Sequence, residues 1–216
     1  MAKGDYKDRL PAGKHHLIVF EGSAKCDTVA AFLPDLEKKL GTKVRLCATG
    51  GHFLSTPKES LGIAIDYENG KFDPKYAVAP DKKELVESLR GKISACLKSG
   101  GQLLILTDND RAGEFIAGEI ITHFKLKLGT DCLRAGLISP DKRDVFETLD
   151  KLAPALNVPL MLSEKARLVL DKCFGYVQSP HLWNLAARTS PADVQKMSDS
   201  MMKRLASFKE LNKELL

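Results

Sequence analysis

Two short apolar runs in this sequence end in acids. Leu103-Leu104-Ile105-Leu106 runs into Thr107-Asp108-Asn109-Asp110-Arg111, and Leu17-Ile18-Val19-Phe20 runs into Glu21-Gly22-Ser23-Ala24-Lys25. Carboxylates crowded together repel, and each resists ionising unless a cation sits among them. A hard divalent ion with oxygen ligands, most simply Mg2+, resolves that conflict, and Mg2+ in turn favours phosphates. A D-x-D alone is weak, since two acids in a loop are usually just solvated; its position supplies the weight. In an open parallel sheet, ligands gather beyond the carboxyl ends of the strands, and Glu21, Asp108 and Asp110 all stand there if the two apolar runs are neighbouring strands. Lys25 and Arg111 lie in the first turns of the helices that follow, against the helix dipole. Each is better explained by an anion than by helix stability.

Around these residues the sequence alternates strands and helices. After the strand at Leu17–Phe20, Val29, Phe32, Leu33 and Leu36 mark one helical face. Lys43–Ala48 reads as a second strand, broken by Gly50-Gly51, and residues 52–80 read as irregular, with turns at Asn69-Gly70 and Asp73-Pro74. The spacing predicts a helix from about Asp81 to Leu97, with Leu85, Leu89, Ile93 and Cys96 inward. A third strand at Leu103–Leu106, a helix from Arg111 to about Phe124 and a weaker strand at Cys132–Ile138 follow. Ser139-Pro140-Asp141 predicts a helix start, with the hydroxyl as cap and the proline at the first helical position. This alternation predicts an α/β fold, a parallel sheet with helices on both faces.

Beyond about residue 155 the pattern is purely helical, and Pro154, Pro159, Pro180 and Pro191 divide it into about three helices. The last carries Val194, Met197, Met201, Leu205, Phe208, Leu211 and Leu215 three or four apart, a stripe suited to core packing or to a homodimer seam.

Composition narrows the function. No apolar run approaches the roughly 20 residues of a membrane helix, and the first 14 residues lack the apolar centre of a signal peptide. The expectation is a soluble protein of the cytoplasm, nucleoid-associated, or nuclear if eukaryotic. Five scattered cysteines with no C-x-x-C pair indicate neither a disulfide framework nor a zinc module. The net charge is +5, and residues 151–216 hold ten Lys/Arg against six Asp/Glu, which suits a polyanion partner or merely a solvated helix surface.

Several motifs then resemble one family in order. Glu21-Gly22-Ser23-Ala24-Lys25 is similar to the E-S-P-A-K that opens type IA DNA topoisomerases, Ala48-Thr49-Gly50-Gly51-His52 to their A-S-x-G-H, and Thr107 to Glu114 to T-D-x-D-R-E-G-E. Asp66-Tyr67-Glu68-Asn69-Gly70 and Pro74-Lys75-Tyr76 fit the segment between. Ala166-Arg167, Asp171 and Gly175 to Trp183 resemble A-R-R, D-R and G-Y-x-x-S-P-x-L-W. The resemblance implies a Toprim domain over residues 14–150, followed at 151–216 by the start of a helical domain that grips single-stranded DNA. Carried over, Glu21, Asp108 and Asp110 would be metal and acid/base carboxylates, with Glu114 a further metal ligand. Lys25 and Arg111 would stabilise the scissile phosphate, and His52, Arg167, Asp171 and Tyr176 would contact the strand.

The sequence also departs from the family. A third acid expected two residues after Asp110 is Ala112, which shifts metal binding toward Glu114 or weakens it. The second arginine of A-R-R is Leu168, the family's R-V-Q-S is Asp193-Val194-Gln195-Lys196, and an acidic motif expected near Gly136 is absent. Tyr6, Tyr67, Tyr76 and Tyr176 do not stand in the context of the family's strand-cleaving tyrosine. The expectation is therefore a Toprim portion that binds Mg2+ and single-stranded DNA but does not relax DNA alone, its partner being a tyrosine-bearing topoisomerase chain or domain. A free-standing Toprim nuclease or primase-like phosphotransferase, and a non-catalytic DNA-binding regulator, are the alternatives.

Overall fold

The structure, a computed structural model, describes residues 15–57, 60–66 and 68–188. In chain order its elements begin with β1 (His16–Phe20), α1 (Ser23–Ala30), α2 (Leu33–Leu40), β2 (Val44–Ala48), β3 (Leu54–Ser55), β4 (Ile63–Asp66), β5 (Lys71–Pro74) and β6 (Ala77–Val78). After these come α3 (Lys83–Lys98), β7 (Leu103–Ile105), α4 (Arg111–His123), β8 (Cys132–Arg134), α5 (Lys142–Leu149) and α6 (Val158–Arg188).

Four strands form a parallel sheet in the order β2-β1-β7-β8. Leu17, Ile18 and Val19 lie opposite Leu103, Leu104 and Ile105, so the two acid-terminated runs are adjacent and in register. Side chains alternate between the faces of a strand, and here both faces are covered. Ile18, Phe20, Leu104 and Leu133 pack in one core with Val29, Leu36, Val145 and Leu149. Leu17, Val19, Leu103 and Ile105 pack in the other with Val86, Leu89, Ile93, Ile116 and Ile120. Burial on two faces explains why these strands read as unbroken apolar runs rather than alternating ones, and the expected α/β architecture holds.

Several local expectations are corrected. The helical pattern after Ser23 is two helices: α1 ends at Ala30, and α2 starts again with Phe32 at its cap and Pro34 in its first turn. Val86 rather than Leu85 turns inward from α3. Residues 52–80 contain two antiparallel pairs, β3 with β6 and β4 with β5. They were illegible because β3 and β6 have two residues each and β5 is mostly exposed. The helix after Ser139 begins at Lys142, capped by Asp141, whose side chain accepts from Asp144 N at 2.9 Å.

The region after residue 155 is one helix, α6, rather than several over its described length. Pro159 falls in its first turn, where a missing N–H is harmless, and the helix continues through Pro180. The chain forms two units, Met1–Val169 and Leu170–Leu216. The stripe proposed as a dimer seam, and the Asp193-Lys196 segment, lie outside the described residues. Among the described residues no helix is long and apolar enough to cross a membrane.

Candidate metal and phosphate site

Because β1 and β7 pair in register, the residues that follow them emerge on one rim. Glu21 is fixed there by its backbone: its carbonyl accepts from Gly50 N at 2.7 Å and Gly51 N at 3.2 Å. Both glycines sit in the left-handed region, at φ 64° and 84°, which a side chain would strain. The Glu21 carboxyl is pushed above the usual carboxylate range by burial and then by the charges of Asp108 and Asp110, with Lys25 opposing. Glu21 thus feels both aspartates across the rim that the β1–β7 pairing creates.

Lys25 reaches from the first turn of α1 to ion-pair with Asp108, 83 residues away. Asp110 caps α4, accepting from Gly113 N at 2.7 Å. Gly113 in turn presses on the acidic loop: a Cβ there would lie 2.2 Å from the Asp108 carbonyl oxygen, and Thr107 Oγ1 donates to Gly113 O at 2.6 Å. Only glycine permits that approach of helix to loop. Ala112 is half-buried beside it.

Among the described residues no three His, Cys, Asp or Glu side chains close to a ready-made metal cage. The donor chemistry nonetheless suits a hard divalent ion. Glu21, Asp108 and Asp110 offer oxygen only, and the Lys25 ammonium already stands on Asp108 as a cation would.

Glu114 has a different setting. It is buried, and its Oε2 lies 3.0 Å from Nη2 of Arg134, whose side chain is 3% exposed. Glu114 Oε1 accepts from Asn157 N at 2.6 Å. Arg134, on β8, also donates to the carbonyls of Thr107 at 3.1 Å and Asp108 at 2.9 Å, so it pins the acidic loop from beneath. Burial pulls the Arg134 guanidinium below its ordinary value, and Glu114 is the chief opposing charge. Sequence reasoning missed Arg134; an arginine inside the apolar run Cys132-Leu133-Arg134-Ala135 was the available signal, since a buried guanidinium needs an acid.

A second cluster adjoins Arg111. Glu164 of α6, its side chain 1% exposed, lies 3.3 Å from Arg111 Nε and 3.8 Å from His52 Nε2, and accepts from Arg167 Nε at 3.1 Å. His52 Nδ1 lies 3.4 Å from Glu119 Oε1 on its other side. Burial drags the His52 pKa down, but Glu119, Glu164 and Glu21 outweigh it and raise it. Burial raises Glu119, with His52 opposing. Glu119 and Glu164 were also missed. Glu119 is an acid on the buried face of α4, where a charge asks for a partner, and Glu164 lies three before Arg167, a spacing that announces their pair. The structure thus brings His52, Arg111 and Arg167 together. Asp171 and Tyr176 belong to the second unit, where both are exposed and Lys172 Nζ lies 5.5 Å from the Tyr176 ring centroid.

A parallel sheet carrying acids on one rim, with cations in the adjoining first turns, defines a recognisable class. The model of the Toprim domain matches residues 16–147, and the chain belongs to that family. Its similarity extends to the type IA topoisomerases that carry such a domain. It is 28% identical to DNA topoisomerase 1 of Mycolicibacterium smegmatis over 92% of this chain and 21% of that protein. It is 30% identical to DNA topoisomerase 1 of Treponema pallidum over 79% of this chain and 21% of that protein. The structure of full-length topoisomerase I from Thermotoga maritima superimposes with a TM-score of 0.60 at 29% identity, covering 77% of this chain and 26% of that one. The chain therefore spans about a fifth to a quarter of the length of these relatives.

Proposed function

We propose that this chain is a Mg2+- and single-stranded-DNA-binding Toprim portion of a type IA topoisomerase-like protein, and that its 216 residues do not relax DNA unaided. The observation that carries the reading is the gathering of Glu21, Asp108 and Asp110 on one rim, with Lys25 and Arg111 beside them. Glu21, Asp108 and Asp110 would hold the ion, which when bound would supply a positive centre for a phosphodiester. Lys25 and Arg111 would take the remaining phosphate charge, and Asp110 is oriented by its cap to Gly113 N. Burial and the nearby Asp108 and Asp110 make Glu21 hold its proton more tightly than an ordinary glutamate, a repulsion that a cation among the three acids would relieve. Glu114, engaged by Arg134, would hold the loop rather than the ion.

His52 and Arg167 would meet backbone phosphates, and an exposed aromatic ring such as Tyr176 offers a face on which bases stack without regard to sequence. Strand cleavage and passage would come from a tyrosine-bearing chain or domain, and the cytoplasm, or a nucleus, would be the setting.

The test combines calorimetry with Mg2+, fluorescence anisotropy with a labelled single-stranded oligonucleotide, and relaxation of supercoiled plasmid. Expected are Mg2+ binding that Asp108→Asn abolishes, salt-sensitive single-strand binding, and no relaxation. Metal-dependent strand cleavage by the chain alone would establish the nuclease reading instead. Duplex bound as tightly as single strand would overturn the groove assignment.

A further inference from the structure

Glu164 is nearly sealed from water, yet its neighbours are two guanidiniums and the His52 imidazole. Its Oε2 is 3.3 Å from Arg111 Nε, its Oε1 is 3.8 Å from His52 Nε2, and Arg167 engages both oxygens through Nε at 3.1 and 3.2 Å, with Nη2 adding a further contact. The Arg111 and Arg167 side chains are 54% and 40% exposed, so their outer surfaces face solvent while these donor atoms turn inward. Two guanidiniums and an imidazole fanned around two oxygens form the donor set that binds a phosphate as readily as a carboxylate. The Nε–Nη2 edge of Arg167, one of its bidentate edges, is already taken.

We infer that Glu164 is an internal counter-anion of a phosphodiester site formed by Arg111, Arg167 and His52, and that a nucleic-acid backbone must displace it to bind there. The inference rests on the single-strand reading above and adds a residue that restrains it. A phosphate approaching these cations meets a fixed negative charge in their midst, so part of the electrostatic attraction is cancelled before the strand arrives. The opposite role, a carboxylate that merely braces two arginines in a binding posture, predicts the reverse response to neutralising it.

Glu164→Gln separates the two, because it keeps the shape and removes the charge. Two probes are needed: a labelled single-stranded oligonucleotide read by anisotropy across a salt series, and inorganic phosphate read by the rise in melting temperature. Expected are oligonucleotide affinity about tenfold tighter than wild type, the worth of one charge-assisted hydrogen bond no longer withheld, and a log–log salt slope steeper by about 0.7, one more phosphate neutralised. Phosphate should stabilise E164Q more than wild type. Oligonucleotide affinity equal to or weaker than wild type overturns the inference and leaves the single-strand reading intact. Failure of both proteins to bind the oligonucleotide, with phosphate still stabilising E164Q selectively, sinks that reading but supports an anion site. No selective phosphate effect in that case sinks both. Should E164Q not fold, Glu164→Asp draws the same charge back by one methylene and should give a smaller gain in the same direction; no gain overturns the proposal.

Discussion

Replacing Glu114 by Gln separates a residue that holds the metal from one that holds the loop. The buried Arg134 guanidinium would lose its acid and keep only main-chain carbonyls as partners. Breaking a buried pair from one side costs about 3–5 kcal/mol because a charge is left uncompensated. Glutamine keeps the volume and can still accept from Asn157 N, which sets the expectation near the lower limit, about 3 kcal/mol. For a chain of this size that corresponds to a fall in melting temperature of about 6–12 °C, measurable by circular dichroism and by urea titration. Mg2+ affinity of the folded E114Q protein should change little, whereas Asp108→Asn should lose Mg2+. Adding Arg134→Met to E114Q should return part of the stability, since the stranded charge is gone. An E114Q protein that melts with wild type but no longer binds Mg2+ would refute the assignment and return Glu114 to the metal.

Two further outcomes follow from packing and burial. Gly113→Ala should destabilise by about 2 kcal/mol despite alanine's better helix propensity, because its Cβ would fall about 0.8 Å short of the closest contact real Cβ atoms make to the Asp108 carbonyl; a melting temperature unchanged from wild type would contradict the close approach. Burial pushes the Cys47 and Cys132 thiols up to about 12, so almost none is thiolate at neutral pH. In native protein, iodoacetamide followed by mass spectrometry should leave both unmodified until the chain unfolds, and rapid labelling of either would disprove its sealing.

The strands that carry the site were readable because each is an unbroken apolar run stopped by an acid, and Lys25 and Arg111 because a cation in a helix's first turn asks for a reason. What could not be read is pairing at long range. The neighbourhood of β1 and β7 was a condition of the metal reading, and only the register of Leu17 with Leu103 supplies it. The partners of Glu114 and Arg111 come from β8 and α6, separated by intervening elements that carry no local signal of the match. The break between α1 and α2 was hidden because Val29, Phe32 and Leu36 keep a helical spacing across it. Pro180 suggested an end that α6 does not make, since one proline removes a single donor from a 31-residue helix.

The adjacency of β1 and β7 has a bearing on biosynthesis. Lys25 and Asp108 are 83 residues apart, and the strand joining their rims is completed only after β2 and α3 have been made. A ribosome that has released the first hundred residues has therefore exposed an acid-tipped strand with no opposing acids. The acid-lined rim cannot assemble piecemeal; it forms only once β7 pairs beside β1, so under the proposed function a nascent chain would offer no divalent-ion site before that strand is made.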